Sequence, residues 1–273
     1  VLERIVVVVD QSKTAQYAVG ASFTLARELG ARLHFALTVD PDLVAQDVGF
    51  EAMAQMAMQL QERTLRETLA RAAAAGVHDA TGSVLVDDPA TGALAAARER
   101  NADSIMIGVA PRVGFLRPFI RSLAERILLE TTLPLVAVRR PARGFLSRRI
   151  IVPIVDDPLS GVAVEHAVAQ ALRFQSTLVL CSLIEGDGEA AARLAVARAK
   201  AMADLFGVPS EELVLAPDGG VASAIVRNAT LQDCDSIVMA THARAGIPRI
   251  AEGSVAQAVI FSSDVPVILV RRA

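Results

Sequence analysis

Short β-branched runs alternate with longer stretches of helical periodicity along the chain. Ile5–Val9 reads as a strand, Thr14–Leu29 as a helix and Leu33–Val39 as the next strand. A long helix is expected over Val48–Ala75, where Met53, Met56 and Leu60 fall at helical spacing. That stripe is read as core, because Met fills irregular gaps between packed elements. Strand Val84–Val86, helix Ala90–Arg100, strand Ile105–Gly108, helix Ser122–Glu130 and strand Leu135–Val138 complete the series. From Ile150 the same alternation begins again, with a shorter excursion after its second strand. Strands separated by helices imply right-handed crossovers and a parallel sheet covered on both faces.

The second series is a copy of the first. Ala102-Asp103-Ser104-Ile105-Met106-Ile107-Gly108 recurs as Cys234-Asp235-Ser236-Ile237-Val238-Met239-Ala240, 132 positions later. At the same offset Arg112 meets Arg244, Gly114 meets Gly246, Arg117 meets Arg249 and Ser122 meets Ser254. Leu133-Pro134-Leu135-Val136-Ala137-Val138-Arg139 likewise meets Val265-Pro266-Val267-Ile268-Leu269-Val270-Arg271. So many matches at one spacing mark an internal duplication. The expected fold is α/β, two tandem domains, each a five-stranded parallel sheet with helices on both faces. The boundaries read as 1–140 and 149–273, with a basic linker over 141–148. One undivided sheet, or halves that fail to superpose, would contradict this. The closing strands are plausible edges for association, either with each other or with another chain.

Composition narrows the function classes. Apolar residues make up 53% of the 273 and charged residues 21%, which excludes a disordered chain. Two cysteines cannot make a disulfide scaffold, and no apolar run approaches the roughly 20 residues of a membrane span. With a strand-like run close to Val1 and no room ahead of it for a signal peptide, a cytoplasmic protein is expected. The net charge of −3 gives no footing for a nucleic-acid binder. Residues 139–149 nevertheless carry five Arg and no acid. They read as a connector whose arginines pair with the acidic halves, with an anion or an acidic partner as the alternative.

Ligands of doubly wound sheets sit beyond the carboxyl ends of the strands, where strand order reverses. The first strand ends in Asp10, which can accept from a ribose hydroxyl or cap the following helix. In the second copy Asp156 and Asp157 follow the strand, and Asp157 before Pro158 has the look of an N-cap with Pro at the first helical position. After the fourth strand the copies diverge. The first runs from Gly108 through Pro111 to Arg121-Ser122; the second runs from Ala240 through Ala243 to Gly253-Ser254. A loop feeding a helix start can surround an anion with main-chain N–H groups.

Together these residues resemble the universal stress protein family. The resemblance rests on the strand ending in Asp10, the Ala-Asp-Ser-Ile-x-x-Gly strand, the Arg-x-Gly loop, the Ser-bearing helix start and the closing Pro-Val-x-x-Val-Arg strand. It covers the chain as a tandem pair and implies a role in stress survival, an internal pseudo-dimer and further association as dimers. Nucleotide-binding members carry Gly-x-x-Gly, nine residues, then Gly-Ser or Gly-Thr. Carried over, the site in the second copy is Asp156, Leu183, Ala240, Ala243, Gly253 and Ser254, for ATP with Mg. In the first it is Asp10, Val39, Gly108 and Ser122. Pro111 has no N–H to donate and Arg121 puts a long side chain where backbone should approach, so the first copy departs further from the family pattern. The second copy raises a question of register. Aligning Pro153 with the family's strand Pro puts Val155 at the Asp position, whereas aligning Asp156 needs a bulge.

No other chemistry stands out. The four histidines (His34, His78, His166, His242) show no metal-ligand spacing, and Cys181 and Cys234 read as core residues. No nucleophile–base set and no Gly-x-x-x-x-Gly-Lys loop is present. The reading is a binding protein rather than an enzyme, with a ligand-free interaction scaffold as the alternative. A slow ATP-hydrolysing enzyme ranks third.

Overall fold

Alternation along the strands sends side chains to two separate cores. In β1 (Arg4–Val8) Ile5 and Val7 enter one core and Val6 and Val8 the other, all buried. A computed structural model of the chain describes residues 2–41, 51–110, 123–141, 148–184, 188–216, 219–241 and 255–271. The first half continues with α1 (Lys13–Leu29), β2 (Arg32–Val39), α2 (Glu51–Ala74), β3 (Ala80–Val86), α3 (Pro89–Glu99), β4 (Ser104–Gly108), α4 (Leu123–Glu130) and β5 (Leu135–Val138). The second half runs β6 (Arg149–Ile154), α5 (Pro158–Phe174), β7 (Thr177–Leu183), α6 (Glu189–Leu205), β8 (Ser210–Leu215), α7 (Val221–Leu231), β9 (Ser236–Ala240), α8 (Val255–Ser262) and β10 (Val267–Val270). Helices α1, α2, α5 and α6 pack on one face and α3, α4, α7 and α8 on the other.

The strands form one sheet in the order β3-β2-β1-β4-β5-β10-β9-β6-β7-β8. The sheet is undivided, contrary to the expectation of two separate sheets, yet the duplication is plain in its strand order. Each half keeps its own five-stranded parallel order, the two orders mirror each other, and only β5 and β10 pair antiparallel. Val136 lies opposite Ile268, its own counterpart at an offset of 132, so a pseudo-twofold axis passes through that pair. Glu125 and Gln257, also 132 apart, hydrogen-bond to each other. The closing strands therefore pair with each other, forming an internal pseudo-dimer.

Reciprocal arginines secure the junction. Arg139, after β5, donates to the carbonyls of Ser262 (3.1 Å) and Ser263 (2.8 Å) at the end of α8 and pairs with Asp264. Arg271, after β10, donates to the Leu128 carbonyl in the last turn of α4. A cation at a helix C-terminus meets the negative end of the dipole and satisfies carbonyls left without intrahelical partners. Arg140 also reaches Asp264 (2.9 Å), and Arg149 grips Glu211 through two nitrogens (2.8 and 2.9 Å). These described arginines of the basic segment thus pair with acids of the chain; residues 142–147 lie outside the described residues.

The aspartates of the duplicated Ala/Cys-Asp-Ser-Ile strand have a structural task. Asp103 accepts from the N–H groups of Glu3 and Arg4, and Asp235 accepts from that of Arg148, so each anchors the entry to the first strand of its half. Desolvation raises the Asp235 carboxyl above its ordinary range although main-chain N–H groups oppose it.

One core expectation fails. Met53, Met56 and Leu60 are 53%, 69% and 50% exposed. Helix α2 has 24 residues and spans about 36 Å, whereas β2, with eight, spans about 26 Å. The first turns of α2 therefore extend past the sheet they would pack on.

Candidate functional site

The end of β1 and the start of α1 decide what Asp10 does. Ser12 is the N-cap, accepting from the Ala15 N–H at 3.0 Å. Asp10 is exposed, and its Oδ1 accepts from the Ser12 N–H at 2.7 Å. The capping alternative for Asp10 is thus corrected: the helix begins two residues later, and Asp10 braces the turn that leads into it.

Ladder register settles the corresponding residues of the second half. Ile5 lies opposite Ser104 and Leu33, and Ile150 lies opposite Ser236 and Leu178, so the first strands correspond at an offset of 145. Val155 therefore takes the place of Asp10, Asp156 that of Gln11, and Asp157 that of Ser12. The caps agree: Asp157 accepts from the Leu159 N–H at 2.7 Å, with Pro158 at the first helical position. No bulge carries Asp156 back to the Asp10 position. Asp156 instead pairs with Arg198 on α6 at 3.2 Å, where Gln11 donates to Thr64 on α2 at 3.1 Å. Leu183 likewise corresponds to Thr38, and Ile184 is the counterpart of Val39. Val39 is buried, and its carbonyl accepts from the Asp87 N–H at 3.0 Å.

At the end of the fourth strand the two halves differ in how closely a helix approaches. A Cβ on Gly108 would lie 2.2 Å from the Thr14 carbonyl carbon and 2.3 Å from the Ala15 nitrogen, both backbone atoms of α1. Gly108 is there because the first turn of α1 rests directly on it. Its counterpart Ala240 carries a real methyl, which needs about 3.5 Å from its neighbours. An approach as close as that of α1 to Gly108 is therefore not open to α5 over Ala240.

A cavity of about 290 Å³ lies under the N-terminal part of α5, between it and α6. Val164, Ala195, Ala199 and Met202 form its apolar walls, and Asp156, Asp157, Ser160 and Arg198 its polar ones. In the first half Arg71 donates to Gln16 across the corresponding space. Gly161 replaces Gln16, and with the glycines that end α2 and α6 (Gly76 and Gly207) aligned, Met202 replaces Arg71. Thr64 and Thr68 become Ala195 and Ala199 by the same alignment. These cavity residues were not singled out from sequence; they emerge only when the halves are compared at offsets of 145 and 131 rather than 132.

Ser122, Ala243, Gly253 and Ser254 lie outside the described residues, as do Pro111, Arg121 and His242. Of the proposed second-half set, the structure brings Asp156, Leu183 and Ala240 to the C-terminal edge of adjoining strands. Of the first-half set, it brings Asp10, Val39 and Gly108 to the same edge of its own half. His34, Cys181 and Cys234 are buried, His166 is half-buried and His78 is exposed. His34 sits between the hydroxyls of Thr81 (2.9 Å) and Ser83 (3.0 Å), and burial lowers its pKa. Burial pushes the Cys181 and Cys234 thiols up to about 11 and about 12, which keeps both protonated and unreactive. Among the described residues no cluster of His, Cys, Asp or Glu is arranged to hold a metal ion, and no helix is long and apolar enough to cross a membrane.

The two mirrored halves, each a doubly wound parallel sheet with helices on both faces, define a tandem α/β protein. The model of the universal stress protein family matches residues 2–139 and again 147–271, and the chain belongs to that family. A universal stress protein of Methanocaldococcus jannaschii is 29% identical over 144 residues, 46% of this chain and 84% of its own length. Among solved structures, a universal stress protein from Archaeoglobus fulgidus superposes with a TM-score of 0.78 at 18% identity, covering 100% of this chain and 99% of its own. A putative universal stress protein from Pseudomonas aeruginosa gives 0.61 at 16% identity, covering 99% and 93%. At these identities the structural likeness establishes the fold.

Proposed function

We propose that this chain acts by binding and contact rather than by catalysis, and that its second half takes an adenine nucleotide at the C-terminal ends of β6 and β9. Strand order reverses there, so the ends of the two strands splay into a crevice. The observation that carries the choice of half is Ala240. A side-chain methyl stands at this position, whereas in the first half a Cβ on Gly108 would lie 2.2–2.3 Å from backbone atoms of α1. Asp156 and Leu183 stand on the adenosine side of the crevice. Ala243, Gly253 and Ser254 would offer main-chain N–H groups and a hydroxyl to the phosphates, with any Mg carried by the phosphates. The carboxylates at the strand ends support binding over catalysis, because they cap, brace or pair: Asp10 with the Ser12 N–H, Asp157 with α5, Asp156 with Arg198.

The test is to denature purified protein, assay the supernatant for adenine nucleotides by anion exchange, and titrate ATP–Mg calorimetrically. Gly253→Arg is expected to abolish binding and Ser122→Ala to leave it intact. Loss of binding in Ser122→Ala would move the site to the first half. No nucleotide and no heat at millimolar ATP would leave the ligand-free scaffold, the reading favoured by Val155 standing where the first half has Asp10.

A further inference from the structure

We infer that the cavity between α5 and α6, which borders the β6 end and shares Asp156 with it, binds a small apolar monocarboxylate. This does not rest on the nucleotide reading. The first half shows what the same space looks like without such a site: Gln16 and Arg71 meet across it, and Thr68 is buried beside them. The second half has Gly161, Met202 and Ala199 at those positions, all lining the cavity. A Cβ built on Gly161 meets nothing within 4 Å, so the opening is real space rather than a tight helix contact. Leaving a helix interior glycine there costs about 1 kcal/mol relative to alanine, a cost with no packing return in the folded chain.

Size and chemistry select the ligand. A cavity of about 150 Å³ accepts benzene. The 290 Å³ here accepts a ring or branched chain plus a short acidic arm. Two of the four polar lining side chains, Asp156 and Asp157, are carboxylates already engaged within the chain; the donors left to a ligand are Ser160 and Arg198. Ser160 accepts from the Val155 N–H at 3.0 Å, and its own proton finds no acceptor among the described residues. Arg198 brings a guanidinium, which suits a carboxylate in a two-point contact. Asp157 is engaged in capping α5. Asp156 already holds Arg198 at 3.2 Å, through an ion pair whose side chains are 64% and 55% exposed. Exposed pairs of this kind contribute only about 0–1 kcal/mol, so an incoming carboxylate displaces Asp156 at little cost. Asp156 is thus a placeholder for the ligand's own acid group.

Phenylacetate is a suitable probe, read through the methyl resonance of Met202 in protein labelled at the methionine methyls. Saturable displacement of that signal at millimolar phenylacetate or below is expected, with phenylacetamide weaker and benzylamine weaker still. Gly161→Gln, which installs the first half's residue, is expected to abolish the displacement while the far-ultraviolet spectrum stays unchanged. Arg198→Gln is expected to weaken binding about tenfold, and Asp156→Asn to tighten it. A silent Met202 signal, an unchanged titration in Gly161→Gln or Arg198→Gln, or benzylamine binding more tightly than phenylacetate overturns the inference.

Discussion

Gly108 offers a sharp test of how the halves differ, because one methyl group there has a calculable cost. In Gly108→Ala the new carbon would stand 2.2–2.3 Å from three backbone atoms of Thr14 and Ala15. Main chain in a capped first turn cannot swing aside as a flexible side chain would. The start of α1 would have to move by roughly 1 Å, and overpacking of this kind costs about 1–3 kcal/mol. For a chain of this size each kcal/mol corresponds to roughly 2–4 °C, so the Tm should fall by about 2–12 °C. Gly20→Ala is the internal control. Gly20 lies in the same helix, and a Cβ there meets nothing within 4 Å, so the substitution should stabilise by about 0.5–1 kcal/mol. Ala240→Gly, the reverse change in the second half, should cost only the backbone entropy, about 0.5–1 kcal/mol. Calorimetric and urea unfolding of the three variants provide the measurement. A Gly108→Ala protein as stable as wild type, with Gly20→Ala stabilised as expected, would refute the close approach of α1 and with it the contrast between the halves.

Three further outcomes are expected. Gln175 ends α5 at φ 54°, in the place where Gly30 ends α1 at φ 67°, so Gln175→Gly should raise stability by about 1 kcal/mol in urea unfolding. Arg139→Ala should destabilise by about 1–3 kcal/mol, because it leaves the Ser262 and Ser263 carbonyls without their donor at the junction, while Arg140 still holds Asp264. Asp88 caps α3; burial alone raises its pKa, but hydrogen bonds from Thr91, Arg126 and the Ala90 N–H outweigh it and bring the group down to about 2. Its contribution is therefore complete above the unfolded value near 4 and is lost as the pH falls through about 2. Asp88→Ala should cost about 1 kcal/mol at neutral pH, with the difference from wild type vanishing in acid unfolding toward pH 2.

Much of the fold was legible because β-branched runs and helical periodicity reinforce each other. The strands of both halves, the tandem duplication and the Asp157–Pro158 helix start all follow from local pattern. The failures have physical causes. The first residues of β3, Ala80-Thr81-Gly82-Ser83, show no apolar run, yet they pair with β2 residue by residue. Gly82 fits there because the Leu65 side chain and the Phe35 carbonyl leave no room for a Cβ. The methionines of α2 have core spacing but extend past the sheet, and spacing does not report helix overhang. Asp156 looked like a match to Asp10 because both follow a strand, and only the hydrogen-bonded ladder shows that Val155 holds that place. The α5–α6 cavity was hidden for a related reason. It is made by small residues whose meaning appears only beside Gln16, Thr64, Thr68 and Arg71.

The asymmetry between two halves of one fold is the central claim, and hydrogen–deuterium exchange with and without ATP–Mg addresses both halves in one experiment. New protection is expected at the ends of β6, β7 and β9, in peptides covering 153–160, 182–184 and 238–241. The matching edge of the first half, 8–14 and 106–110, should stay unchanged. Protection at the first-half edge, or equal protection at both, would contradict the account.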